Sequence, residues 1–283
     1  MHIIAALLRP ASAEKLCILA SRMTPAIHNN VSCHFRVTPH VICASQSGIT
    51  RSGWYACDYP TTVVVQVEAY LRLTGIPFTV KFGTTVGRYG KLPFIELNGE
   101  QHADSSTIVE VLTEKFGHDL NKGLSMEQRA VGHSFQRMIE ESLYWHIVYS
   151  RWQDEAGFAS AVPAYFGQIG FVMHKYVDYL MRPTLVKELH GQGTGRLPPD
   201  VVLDRCGKDL AAISTYLGDK PFFLGTAGPT YADVCIFAML DWLFNSGVTT
   251  MLDAKAAEFM NLPAFVQRMN GLLYPSEEHA PST

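Results

Sequence analysis

GKLPFIELNG at residues 90–99, followed by ADSSTI at residues 103–108, is the stretch on which the fold turns. Its apolar run at residues 94–97 has the length of a short buried strand, and the Asn98-Gly99 pair that follows favours the two positive-φ positions of a tight hairpin. Antiparallel strands are therefore expected on either side of that pair. Asp104, Ser105 and Ser106 then stand where a helix cap belongs, and Ile108, Val109, Leu112 and Phe116 recur on one helical face.

Upstream, Val63, Val64, Val67, Tyr70, Leu71 and Leu73 repeat at helical spacing, and Gly75 with Pro77 ends that helix. Residues 78–82 read as a strand, followed by a loop bounded by Gly83, Gly87 and Gly90. Helix, strand, hairpin and helix in that order make an α/β unit. The unit needs one more strand before Thr61. Residues 41–44 and 53–57 are the candidates; neither alternates clearly, and 53–57 is preferred because it leaves the shorter connection. After Leu120 the strand signals stop. Residues 126–152, 161–190, 200–217, 230–245 and 253–272 are helix-like, with Gly/Pro breaks at 191–199 and 225–229. The organisation expected is an N-terminal extension over residues 1–52, an α/β domain over 53–121 and an all-helical domain over 125–273, separated at the polar, Gly123-containing segment 121–125.

Composition fits two globular domains. The 283 residues are 47% hydrophobic and 17% charged, which argues against general disorder and a disulfide miniprotein. The net charge of −3 gives no bulk attraction to nucleic acid or to an anionic membrane, so neither is expected as a partner. That total conceals +4 over residues 1–57 against −7 over the rest. A basic leader rich in Ser, His and Pro has the composition of an organelle transit peptide, and equally of a disordered extension or a misassigned start. The longest later apolar stretch, 234–247, contains Asp241 and falls short of the ~20 residues that cross a bilayer, so no transmembrane segment is expected. Cys17, Cys33, Cys43, Cys57, Cys206 and Cys235 show neither metal-ligand spacing nor a disulfide framework. A cytoplasmic protein is the default, with a mitochondrial location through the leader as the alternative.

With those residues in view, the chain resembles the glutathione S-transferase superfamily, and more closely its branch of failed axon connections proteins, metaxins and related bacterial proteins. The resemblance rests on 90–99 and 103–108, on HSFQRMIEESLYW at 133–145, on GTGR at 193–196 and on YLGDKPFFLG at 216–225. It implies a thioredoxin-like N-terminal domain followed by an all-α bundle, an α+β fold, with glutathione as co-substrate. The peptide bond before Pro93 is then cis, and the backbone of Leu92 is free to pair with the cysteinyl part of glutathione as an added strand. Ser105, at a helix start, would receive the γ-glutamyl carboxylate. Asp104 would accept from the neighbouring ammonium.

Catalysis is left open by the resemblance. In the related branch a Ser-Pro-Phe-Cys type sequence opens the first helix, where this chain has Thr61, Thr62, Val63 and Val64. A hydroxyl survives at Thr61, while the proline, aromatic and cysteine are all replaced. Cys57 is the nearest thiol, and a helix N-terminus lowers a thiol pKa. The first reading is a protein that binds glutathione and conjugates it to hydrophobic electrophiles through Thr61 or Cys57. The second is a non-catalytic adaptor of the metaxin or axon-connection type, which keeps the fold for protein partners. Fold analogy admits a homodimer.

Thr230 and Asp233 have the spacing of a capping box, a structural feature before an apolar helix. The glycines at 191–195 superficially resemble a dinucleotide fingerprint, but a helix precedes them and Pro198-Pro199 follows, so the strand-turn-helix context is missing. Glu141, Trp145, Tyr149 and Trp152 fall on one helical face, a pattern more typical of core than of a substrate wall. The histidines show no ligand pairing, and no metal is expected.

Overall fold

Asn98 and Gly99 both adopt left-handed backbone angles, with φ of 53° and 84°, as a two-residue turn matched to strand twist requires. The strands they join belong to a four-stranded sheet. The computed structural model describes residues 32–37, 62–83, 93–167 and 171–275. In chain order the sheet comprises β1 (Ser32–Val37), β2 (Phe78–Gly83), β3 (Phe94–Leu97) and β4 (Glu100–Ala103), arranged β2-β1-β3-β4. Leu97 stands opposite Glu100 and Phe94 opposite Ala103 across the hairpin.

β1 corrects the expected first strand. Residues 41–44 and 53–57 lie outside the described residues, and the place they were to fill is held by Ser32–Val37, inside the segment read as an extension. β1 pairs with β2 along one edge and with β3 along the other, so no further strand can be inserted between those two. Cys33, Phe35 and Val37 alternate with Ser32, His34 and Arg36, which is the period of a strand. The preference for a short connection points away from it. β1 runs parallel to β3 and antiparallel to β2, so the passage from β1 to β2 is not a parallel crossover.

Two helices complete this half. α1 (Thr62–Thr74) buries Val64, Val67, Tyr70 and Leu71, and α2 (Ser105–Phe116) buries Ile108, Val109 and Leu112. α2 lies against β3, β4 and α1. The Tyr70 hydroxyl ties the two helices together, donating to the His118 carbonyl at 2.6 Å and lying 2.9 Å from Thr113 Oγ1. Gly117, at φ 76°, ends α2 with its N–H on the Thr113 carbonyl.

Among the described residues of the second half, every regular element is a helix. The expected helix over 126–152 is α3 (Met126–Met138), a π-helical turn (Ile139–Leu143) and α4 (Tyr144–Trp152). Ser125 opens it with a capping box to Gln128. The π turn rotates the face: Ile139, Leu143 and Ile147 are fully buried, whereas Glu141 is exposed. Hence the predicted stripe through Glu141 and Trp145 does not continue as one buried line into Tyr149 and Trp152. The segment predicted over 161–190 begins earlier, as α5 (Glu155–Phe166), and is cut at Gly167, whose φ of 62° ends it. Then follow α6 (Phe171–Tyr176), a second π turn (Val177–Met181) and α7 (Arg182–Gln192).

α8 (Pro199–Leu217) and α9 (Tyr231–Asn245) match their expected positions, and the last segment divides into α10 (Asp253–Ala256) and α11 (Asn261–Leu273). α9 is buried along Tyr231 to Leu243, because it packs on α1, α3 and α11 at once. A helix apolar on all sides has to sit inside. α9 thus joins the two halves, together with α11, which also packs on α1, and it brings helical-half side chains to the start of α2.

Candidate functional site

The chain leaves β4 at Ala103 and enters α2 at Ser105, which leaves Asp104 alone to turn it. Asp104 takes φ 84° and ψ 125°, a conformation disfavoured for a residue with a side chain. Its carbonyl accepts the first helical bond from Ile108 N–H at 2.8 Å, and its Oδ1 lies 3.5 Å from Thr107 N. Ser105 is 6% exposed at the first position of the helix. The early N–H groups of a helix lack intrahelical acceptors, and with the dipole they favour an anion. Pro93 is buried at the bend that opens β3, the strand paired with β4. Pro93, Asp104 and Ser105 therefore lie on the two strand ends and the helix start of one hairpin-helix unit. Leu92, Thr61 and Cys57 lie outside the described residues.

A second group approaches from the helical half. Gln136 Nε2 donates to Ser106 Oγ at 3.3 Å and to Glu140 Oε1 at 3.0 Å. Arg137 pairs with Glu140 Oε2 from the exposed side. Burial raises the Glu140 carboxyl above its ordinary value, against the opposing pull of Gln136 and Arg137. The Tyr231 phenol is raised well above its ordinary value, first by burial and then by Cys235 and Glu140. Cys235 is fully buried, and burial pushes the Cys206 thiol up to about 12, so neither offers a thiolate at neutral pH. The sequence shows the Gln136 and Glu140 spacing of one helical turn. It does not show that α9 and α2 converge there, because that depends on packing between the halves.

Other polar groups are structural. Asp233, fully buried, accepts from Thr230 N at 2.8 Å and Thr230 Oγ1 at 2.7 Å with one oxygen, and from Phe223 N at 2.6 Å with the other. Ser142 Oγ donates to Asp209 Oδ2 at 2.7 Å, and His146 Nδ1 is 3.4 Å from the same oxygen. Hydroxyl and imidazole thus face the same carboxylate oxygen, whereas a nucleophilic triad needs the imidazole between hydroxyl and carboxylate. Among the described residues no group of three or more His, Cys, Asp or Glu could hold a metal ion, and no helix is long and apolar enough to cross a membrane.

Comparison with known proteins adds to this geometry. Residues 63–157 match the family model described as the glutathione S-transferase N-terminal domain, and residues 206–269 that of the C-terminal domain. The chain is 38% identical over 171 residues to an isoprene-epoxide glutathione S-transferase of Rhodococcus sp. (strain AD45), covering 57% of this chain and 71% of that protein. It is 29% identical to Failed axon connections of Drosophila melanogaster over 75% of this chain and 54% of that protein. It is 26% identical to human Metaxin-2 over 72% of this chain and 78% of that one. Among solved structures it resembles the beta-etherase LigF from Sphingobium sp. strain SYK-6, with a TM-score of 0.51, 15% identity, and coverage of 84% of this chain and 95% of that one.

Proposed function

The chain belongs to the glutathione S-transferase family, in the branch with failed axon connections and metaxin proteins, and from that premise we propose that it binds glutathione and joins its sulfur to a hydrophobic electrophile. The observation that carries this reading is the turn at Asp104, which spends backbone strain to bring a buried serine and a helix start together. Those residues fit an anionic arm. The γ-glutamyl carboxylate takes the Ser105 hydroxyl and the first-turn N–H groups, and Asp104 supplies one acceptor for the neighbouring ammonium. The cysteinyl main chain pairs with the backbone of Leu92, the residue before Pro93 in sequence.

The chemistry then requires the thiol, with a reference pKa of about 8.5, to ionise at neutral pH. Thr61, the residue before α1 in sequence, donates a hydrogen bond to the sulfur and holds it as thiolate; Cys57 is the alternative group. An epoxide is the electrophile class favoured, because the 38% identical relative is named for one. The sulfur–carbon bond forms as the ring carbon–oxygen bond opens, and the proton given up by the thiol ends on the alkoxide.

A second reading, a non-catalytic adaptor, is favoured by the Thr61-Thr62-Val63-Val64 helix start and by Phe171, Tyr179 and Leu180, which stand 74%, 67% and 50% exposed. Conjugation of glutathione to a small epoxide separates the two. Measurable turnover is expected, reduced tenfold or more in Ser105→Ala through KM and in Thr61→Val through kcat. Turnover unchanged in both Thr61→Val and Cys57→Ser would remove both catalytic assignments. A protein that binds glutathione without turnover would support the adaptor.

A further inference from the structure

Glu68 sits in the middle of α1, and only 1% of its side chain is exposed. Acidic side chains are almost never so buried unless they are paired. The partner is Arg72, one helical turn on, whose Nε donates to Glu68 Oε1 at 2.7 Å. That guanidinium is itself held from two sides. Its central carbon lies 4.6 Å from the centre of the Tyr274 ring and 5.8 Å from that of Phe78. Phe78 opens β2, whereas Tyr274 follows α11, the last helix of the other half. One ion pair on α1 thus touches the sheet on one side and the end of the helical half on the other.

The halves meet along α1, which packs on α9 and α11, so this contact lies in the seam between them. Tyr274 ends α11 by donating its backbone N–H to the Asn270 carbonyl at 2.8 Å. Its phenol is raised above its ordinary value, first by burial and then by Glu68, so it stays a neutral hydroxyl; it also faces Arg72 and Asp241, the latter a buried residue of α9. α2 meets α1 at Tyr70, two residues beyond Glu68 and so on a different face of the helix. The groups gathered at the seam are therefore one cation, two carboxyls and a phenol. Burial is the strongest influence on the Glu68 carboxyl and raises it above its ordinary value, against the opposing pull of Arg72 and Tyr274. The closed seam thus holds a proton that the opened one, with Glu68 in water, gives up.

We propose that Glu68, Arg72 and Tyr274 form a proton-sensitive latch between the halves, closed over a neutral Glu68 in acid and loosened at the end of α11 as that carboxyl ionises. The latch is firmest below the ordinary glutamate value of about 4.3 and weakens as pH rises through the higher value Glu68 has in the fold. Arg72 limits the loosening, because it pairs with the ionised form. The device is independent of what binds at the start of α2.

Hydrogen–deuterium exchange of the full chain, corrected for the intrinsic pH dependence of amide exchange, tests it. In wild type the opening of residues 262–274 is expected to rise about fivefold or more between about pH 4.5 and about pH 8, the scale of one proton released on opening. Glu68→Gln keeps the size of the side chain and removes its titration, so it is expected to show little of that rise. Tyr274→Leu takes away the ring over Arg72 and the hydroxyl, and is expected to open more than wild type at both ends of the range. Opening in wild type that does not change with pH would overturn the proposal, as would a rise kept in full by Glu68→Gln. So would an α11 end that Tyr274→Leu leaves as protected as before.

Discussion

Asp233→Ala is expected to lower the melting temperature by about 10 °C. The carboxylate is fully buried and is the acceptor for Phe223 N, Thr230 N and Thr230 Oγ1. Alanine leaves those donors without that acceptor where water does not reach. Each orphaned buried donor costs about 1–3 kcal/mol, so a total of roughly 4 kcal/mol follows after partial relaxation. At about 2–4 °C per kcal/mol for a chain of this size, the shift is about 10 °C in a thermal melt. The effect is large because Asp233 does two jobs: it caps α9, the helix shared by both halves, and it fixes the preceding loop at Phe223. A shift under about 3 °C would mean that the loop finds other acceptors.

Gly157→Ala has a comparable expected effect for a steric reason. Asp154 caps α5 by accepting from Gly157 N at 2.8 Å, and the tight corner after α4 brings Gly157 onto the last turn of that helix. A Cβ there would fall inside the van der Waals shell of the Ser150 carbonyl oxygen and within 2.9 Å of its carbon. Both are backbone atoms, so neither can swing aside as a side chain would. Overpacking costs about 1–3 kcal/mol where side chains give, and backbone contact belongs above that range. A melting temperature lower by about 10 °C, or failure to fold, is expected. Gly271→Ala is the control: nothing lies within 4 Å of its Cβ position on α11, so helix propensity gives a neutral or slightly stabilising result.

What the sequence makes legible follows the range of each signal. Asn98-Gly99 specifies the hairpin locally because the turn needs two positive φ values, and Thr230 to Asp233 specifies a cap within one turn. The family resemblance carries the two-domain fold. Features set by distant packing are hidden. β1 alternates clearly at Ser32–Val37, yet its pairing with β2 and β3, far along the chain, is fixed by sheet geometry, which periodicity does not encode. The π turn at Ile139–Leu143 leaves no mark in an amphipathic pattern, and it displaces the aromatic stripe by one position. At the candidate site, Asp104 and Ser105 are read from the cap motif, whereas Gln136, Glu140 and Tyr231 come to the same helix start through packing between the halves.

The central claim is that the α2 start is a glutathione site, and calorimetric titration of glutathione into wild type and Ser105→Ala tests it most directly. The account predicts saturable binding to wild type with a dissociation constant of about 1 mM or tighter, a free energy of roughly −4 kcal/mol or better, weakened tenfold or more in a Ser105→Ala protein that melts like wild type. No saturable heat in wild type, or equal affinity in the two proteins, would contradict it.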